Sequence, residues 1–181
     1  YKILRQGAAE RTFRAMAEAG LLEPISEELH RGSGERLWRS LATLDAYRQK
    51  FTGTPETLTN AILLGTLLEP LGLAPEPSRP SEPAETQGKR RRKGPIGPKV
   101  GHLPLARRDL ERLRQILGLQ RRLRDTGASV RAQRALTHRS IFREALTWME
   151  IQGDSEELVE HWITVLAERG AEEPVQATGE P

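Results

Sequence analysis

Arg107, Arg114 and Arg121 recur every seven residues, with Arg108 and Arg122 one position further on. An α-helix turns once in about 3.6 residues, so a seven-residue interval returns to nearly the same side and the set forms one cationic stripe. Arg131, Arg134, Arg139 and Arg143 carry the same charge onward. A guanidinium suits phosphate because its planar fork donates two parallel hydrogen bonds and stays charged. Several such contacts displace counterions from a nucleic-acid backbone, which makes the binding salt-dependent. Over this stretch the acidic neighbours are only Asp109, Glu111, Asp125 and Glu144, too few to neutralise the stripe as a merely solvated helix face. The chemistry expected of these nine arginines is polyanion binding.

The remaining reactive types point to no catalysis. Asp45, Asp109, Asp125 and Asp154 are the four aspartates and no two are close in sequence, whereas metal-dependent phosphoryl transfer needs clustered carboxylates to hold its ions. The chain has no cysteine, which excludes a disulfide scaffold, a thiol nucleophile and a zinc site built on thiolates. His30, His102, His138 and His161 share no ligand spacing. Gly32-Ser33-Gly34 resembles a phosphate loop but lacks the preceding strand and the lysine that motif requires, and a helix-joining turn explains it better. No catalytic and no metal-binding residue is expected. Trp148 and Trp162 could stack on unpaired bases. Each, however, falls in an apolar stripe, Trp148 with Ala145, Leu146 and Ile151, Trp162 with Leu158, Val159 and Leu166. Core packing is the expected role of both, and of Trp38.

The elements that must position the arginines read as helices throughout, which makes the expected fold class all-α. Phe13, Met16 and Ala17 mark a first helix closed near Gly20, and Trp38, Leu41, Leu44 and Tyr47 mark a second over about 35–50. Thr54 with Pro55 reads as the start of a third, its stripe passing through Leu58, Ala61, Ile62, Gly65 and Leu68 to a stop at Pro70. From Gly72 to Pro104 seven of the chain's 12 prolines fall together with the basic run Lys89-Arg90-Arg91-Arg92-Lys93. This composition reads as a flexible linker. Leu110, Leu113, Ile116, Leu117 and Leu123 then predict a helix over about 105–123, with others over 130–136, 137–152 and 155–169. Asp154 and Glu157 fit a capping box for the last, and Gly170 fits its end. The expected organisation is a helical body over 1–71, a Pro-rich basic linker over 72–104, a basic helical arm over 105–170 and a tail over 171–181.

Charge sharpens that division. The net charge is +3 over 181 residues. Residues 89–144 hold 17 Lys+Arg against 4 Asp+Glu, a balance of +13, while the rest hold 11 against 21, a balance of −10. A polyanion-binding region beside an acidic body is implied. The longest uninterrupted apolar stretch, Ala61-Ile62-Leu63-Leu64, falls far short of the roughly 18–20 residues a membrane span needs. No secretory leader is visible, and a cytoplasmic location is expected. The first residue is Tyr1, so the chain reads as a piece of a longer polypeptide.

Two stretches carry a family resemblance. Leu4-Arg5-Gln6-Gly7-Ala8-Ala9-Glu10-Arg11-Thr12-Phe13-Arg14, followed by Gly20-Leu21-Leu22-Glu23-Pro24-Ile25, resembles the neck-to-body region of bacterial poly(A) polymerases. Arg107-Arg108-Asp109-Leu110-Glu111-Arg112-Leu113-Arg114-Gln115-Ile116-Leu117 and Arg134-Ala135-Leu136-Thr137-His138-Arg139-Ser140-Ile141-Phe142-Arg143-Glu144-Ala145 resemble their carboxy-terminal RNA-binding part. The order and spacing fit over nearly the whole chain. The resemblance implies a class II nucleotidyltransferase, which transfers AMP from ATP to an RNA 3′ end without a template, using two Mg2+-type ions. Its Gly-Ser loop and Asp-x-Asp pair would lie upstream in a catalytic head, so no cofactor and no catalytic residue is assigned here. This chain would hold single-stranded RNA 3′ ends, inactive alone. The alternatives are the body of a tRNA CCA-adding enzyme, or a helical nucleic-acid-binding adaptor with no enzymatic parent. Ala135-Leu136-Thr137-His138-Arg139-Ser140, then Glu150-Ile151-Gln152-Gly153-Asp154-Ser155, also echoes ribonuclease III. That family needs an acidic residue where this chain has Thr147, and its loss removes a metal ligand.

Overall fold

A computed structural model describes residues 1–76, 100–153 and 156–172, with side chains to 168. The Lys89–Lys93 run, Asp154 of the expected capping box and residues 173–181 lie outside the described residues. Every regular element among the described residues is a helix, as the 3.6-residue periodicity requires. Four helices and two short turns of helix precede the undescribed stretch: α1 (Lys2–Arg5), α2 (Ala9–Glu18), α3 (Leu22–Ile25), α4 (Glu27–Arg31), α5 (Glu35–Gln49) and α6 (Asn60–Leu68). Beyond it come α7 (Arg107–Leu123), α8 (Val130–Thr137), α9 (Phe142–Gln152) and α10 (Glu156–Glu172).

The centre of the molecule is α6, whose residues Ala61 to Leu68 are all buried. A helix apolar on every side needs cover on every side, and α5 and α7 both pack on it. Trp148 of α9 reaches the same place: a Cβ built on Gly65 would stand 2.5 Å from its Cζ3 and 2.8 Å from Leu113 Cδ1. Only a bare glycine lets the indole lie this close to the α6 backbone. α9 further packs on α5 and α7, so one apolar core runs from Leu4 through Trp162. The residues expected as a separate arm thus pack into the body, because α6 cannot bury its far side without them.

Several expected boundaries change. Thr54 and Pro55 do not start α6; the chain turns there, Leu58 N–H donating to Pro55 O at 3.0 Å, and Leu58 plugs the core. The helix expected over 137–152 starts only at Phe142; Thr137 ends α8, and a turn over 138–141 follows, where Arg139 N–H donates to Leu136 O and Phe142 N–H to Arg139 O. Gly170 does not end α10, which continues to Glu172. The outer parts of the expected linker are held in place. Val100 is buried, Leu73 and Leu103 pack on the core, and Gly101 N–H donates to Glu28 Oε2 at 2.7 Å.

One cap crosses between elements. The N-cap of α2 is Ala8, which has no capping oxygen, and the buried carboxylate of Asp45 on α5 takes that role. Its two oxygens accept from the backbone N–H groups of Ala9 and Glu10 at 2.8 and 2.9 Å, satisfying donors that a helix start otherwise leaves unpaired.

Candidate nucleic-acid interface

α7 is amphipathic in the strict sense. Asp109, Leu113, Ile116, Leu119, Gln120 and Leu123 form its buried face. At 100° per residue, Arg107, Arg114 and Arg121 fall on the opposite side, spread over about 21 Å at 1.5 Å rise per residue. Arg107, Arg108, Arg121 and Arg122 are exposed and Arg114 is half-buried. The helix packs its body and still presents cations, as the spacing predicts.

The fate of the four nearby acids decides how much of that charge stays available. Glu144 is buried and consumed by Arg112, whose Nε donates to both carboxylate oxygens at 3.0 and 2.8 Å while Nη2 donates to Oε1; Thr59 Oγ1 adds a bond of 2.8 Å. Those bonds to Glu144 hold the Arg112 guanidinium even more firmly protonated than usual. Asp109 is buried under Tyr1, whose hydroxyl donates to Oδ2 at 3.4 Å, with Arg108 Nε at 3.7 Å from Oδ1. Glu111 pairs with Arg114 at 2.7 Å. Asp125 lies past the C-terminal end of α7. Arg107, Arg121, Arg122, Arg131, Arg139 and Arg143 form no ion pair among the described residues.

Beyond α7 the arginines divide. Arg131 and Arg134 are exposed on α8, Arg139 stands in the turn after it, and Arg143 is exposed in the first turn of α9. Arg122 and Arg139 come together as walls of one open groove of about 350 Å3. Arg134 lines a different one of about 290 Å3, between α8 and α10, with His161 and Glu168. Arg143 lines neither. The pairing of Arg122 with Arg139, 17 positions apart, was not visible in the sequence, because it depends on the α7–α8 turn folding back.

The three tryptophans are internal. Trp162 is fully buried, donates from Nε1 to Leu123 O at 2.8 Å and meets Phe142 edge-on; Trp148 rests on Gly65; and Arg14 covers the Trp38 ring. None is offered to a base. Among the described residues no three His, Asp or Glu side chains gather to hold a metal ion, and no described helix is long and apolar enough to cross a membrane.

Comparison with protein-family models, with curated proteins and with solved structures finds no match to this chain. The functional reading therefore stands on the residues themselves.

Proposed function

We propose that this chain is the RNA-holding portion of a polynucleotide adenylyltransferase of the poly(A) polymerase kind, gripping a single-stranded 3′ end for a catalytic head elsewhere in the same polypeptide. The observation that carries the binding part is the charge accounting on α7: its arginine face points away from the core, and two of the four nearby acids are buried in structural bonds. What remains is an exposed cationic surface with little to neutralise it. Arginine contacts to phosphate hold and orient a strand without reading its sequence, which suits an enzyme that extends many RNAs. The polymerase part rests on the resemblance of residues 4–25, 107–117 and 134–145. ATP and Mg2+ would belong to the head, and no residue of this chain is assigned to them.

The binding part is tested with a single-stranded oligoadenylate and the 181-residue chain, followed by fluorescence anisotropy over a salt series. Replacing Arg114 and Arg121 together with alanine is expected to weaken binding and flatten the dependence of log K on log salt. Unchanged affinity and slope would remove α7 from the interface. The polymerase part is tested on the natural full-length protein, given RNA with ATP alone or tRNA with ATP and CTP. AMP tailing of general RNA supports it, and CCA addition restricted to tRNA replaces it with the tRNA-maturing alternative.

A further inference from the structure

The groove that joins Arg122 to Arg139 has features a general phosphate track does not need. Its apolar lining is small, Ala128 on the α7–α8 turn and Ala132 and Ala135 on α8, together with the buried Leu136. Arg122, at the end of α7, and Arg139, in the turn after α8, supply two guanidinium groups that form no ion pair among the described residues. Asp125, just past the end of α7, lines the same space and brings the one acidic side chain among its lining residues.

Each part restricts the occupant. Two guanidiniums select an anion, and their fork geometry favours phosphate. A methyl-lined floor between them favours a flat apolar face, and a guanidinium plane can also lie against a base. A bare phosphate would leave that floor wet. The carboxylate opposes an anion unless the ligand brings a donor beside its phosphate, and a ribose 2′-hydroxyl is such a donor, absent from DNA. At about 350 Å3 the groove lies near the lower end of the roughly 300–1,000 Å3 usual for small-ligand sites. This is room for one nucleotide rather than a longer stretch.

We propose that the groove between the end of α7 and α8 is a single-ribonucleotide subsite. One base lies on the Ala128–Ala132–Ala135 floor, its phosphate is held by Arg122 and Arg139, and its 2′-hydroxyl donates to Asp125. The proposal rests on the RNA-binding reading and adds to it a defined seat with a preference for RNA over DNA.

The test uses the 181-residue chain, oligoadenylate and its deoxy counterpart, with anisotropy over a salt series. Ala132→Leu fills the floor, leaves every charge in place and retains a good helix former. It is expected to weaken oligoadenylate binding about tenfold with no change in salt slope. Arg122→Ala with Arg139→Ala is expected to lower the slope by about 0.7, the value for one phosphate contact on a single strand. Asp125→Ala is expected to bring RNA and DNA affinities together. Circular dichroism and thermal melting of each variant separate lost binding from lost folding. Normal RNA binding by a folded Ala132→Leu variant, or equal affinity of the unaltered chain for RNA and DNA, overturns the subsite while leaving the α7 interface standing. No RNA binding by the unaltered chain overturns both.

Discussion

Arg112 and Glu144 meet where α7 packs against α9, and the two ends of this ion pair live in different solvents. The Glu144 side chain is 7 % exposed and that of Arg112 is 43 % exposed. Removing one end is therefore not equivalent to removing the other. Arg112→Met strands a carboxylate in the core with Thr59 as its remaining partner, and is expected to cost about 3 kcal/mol, the lower part of the range for an uncompensated buried charge. Glu144→Gln leaves a cation that water reaches and keeps an acceptor for Thr59. It is expected to cost only about 1.5–2 kcal/mol, the lower part of the range for a hydrogen bond to a charged group. Urea unfolding of both variants checks the ordering, and equal costs would show that the pair is not asymmetrically solvated.

The contact between Gly65 and Trp148 runs against helix propensity. In an exposed helix, glycine to alanine stabilises by about 1 kcal/mol. At position 65 the added methyl would press on Trp148 and Leu113, and overpacking a filled core costs typically about 1–3 kcal/mol. Gly65→Ala is expected to lower the melting temperature. Because Trp148 belongs to α9 and Gly65 to α6, the same variant tests whether the two halves of the chain share a core. A raised melting temperature would mean that they do not meet here.

These two contacts mark where sequence reasoning stops. The one-sided stripes of α5 and α7 were legible because each helix has a wet face, and the arginine register followed from the same geometry. α6 has no wet face, so its start was misplaced at Thr54 and Pro55, and its demand for cover on the far side went unread. The boundary between α8 and α9 was legible, but the turn over 138–141 was not, since it contains neither glycine nor proline. Asp45 as the cap of α2, and Glu144 as the partner of Arg112, are tertiary pairings 36 and 32 residues apart. Periodicity carries no signal for either. The sequence count of four acids against the arginines was right, but only the packing reveals which acids are spent.

Glu28 gives a pH dependence with a definite sign. Hydrogen bonding from its own backbone N–H and from the Ser26 hydroxyl, with a smaller contribution from Gly101 N–H, outweighs desolvation and holds its carboxyl below the ordinary 4.5. A carboxylate whose folded pKa is depressed stabilises fully above its unfolded value, and that stabilisation is lost as pH falls through the folded value. Glu28 is thus expected to tie Ser26 and Gly101 together at neutral pH, to begin losing this stabilisation as pH drops under 4.5, and to release them only once pH falls through its depressed value. Comparing melting temperatures of the unaltered chain and Glu28→Gln from pH 7 to pH 3 tests this. The gap should narrow with acidification, and a gap independent of pH would assign the effect to packing.

Glu111 offers a gain of function, which is harder to mimic by damage than a loss. Its carboxylate holds Arg114 at 2.7 Å, and both side chains are about half exposed. An exposed pair of this kind contributes only about 0.2–1 kcal/mol to stability, so Glu111→Gln should fold as before. It frees Arg114 for phosphate and removes a negative charge from the α7 face. Oligoadenylate binding is expected to tighten several-fold, with the salt slope steeper by up to about 0.7, one further phosphate contact on a single strand. Arg121→Ala should flatten the slope by a similar amount, while Arg114→Ala should flatten it less, since that guanidinium is already partly committed. If Glu111→Gln leaves affinity and slope unchanged while Arg121→Ala weakens binding, RNA contacts the far end of α7 and bypasses Arg114.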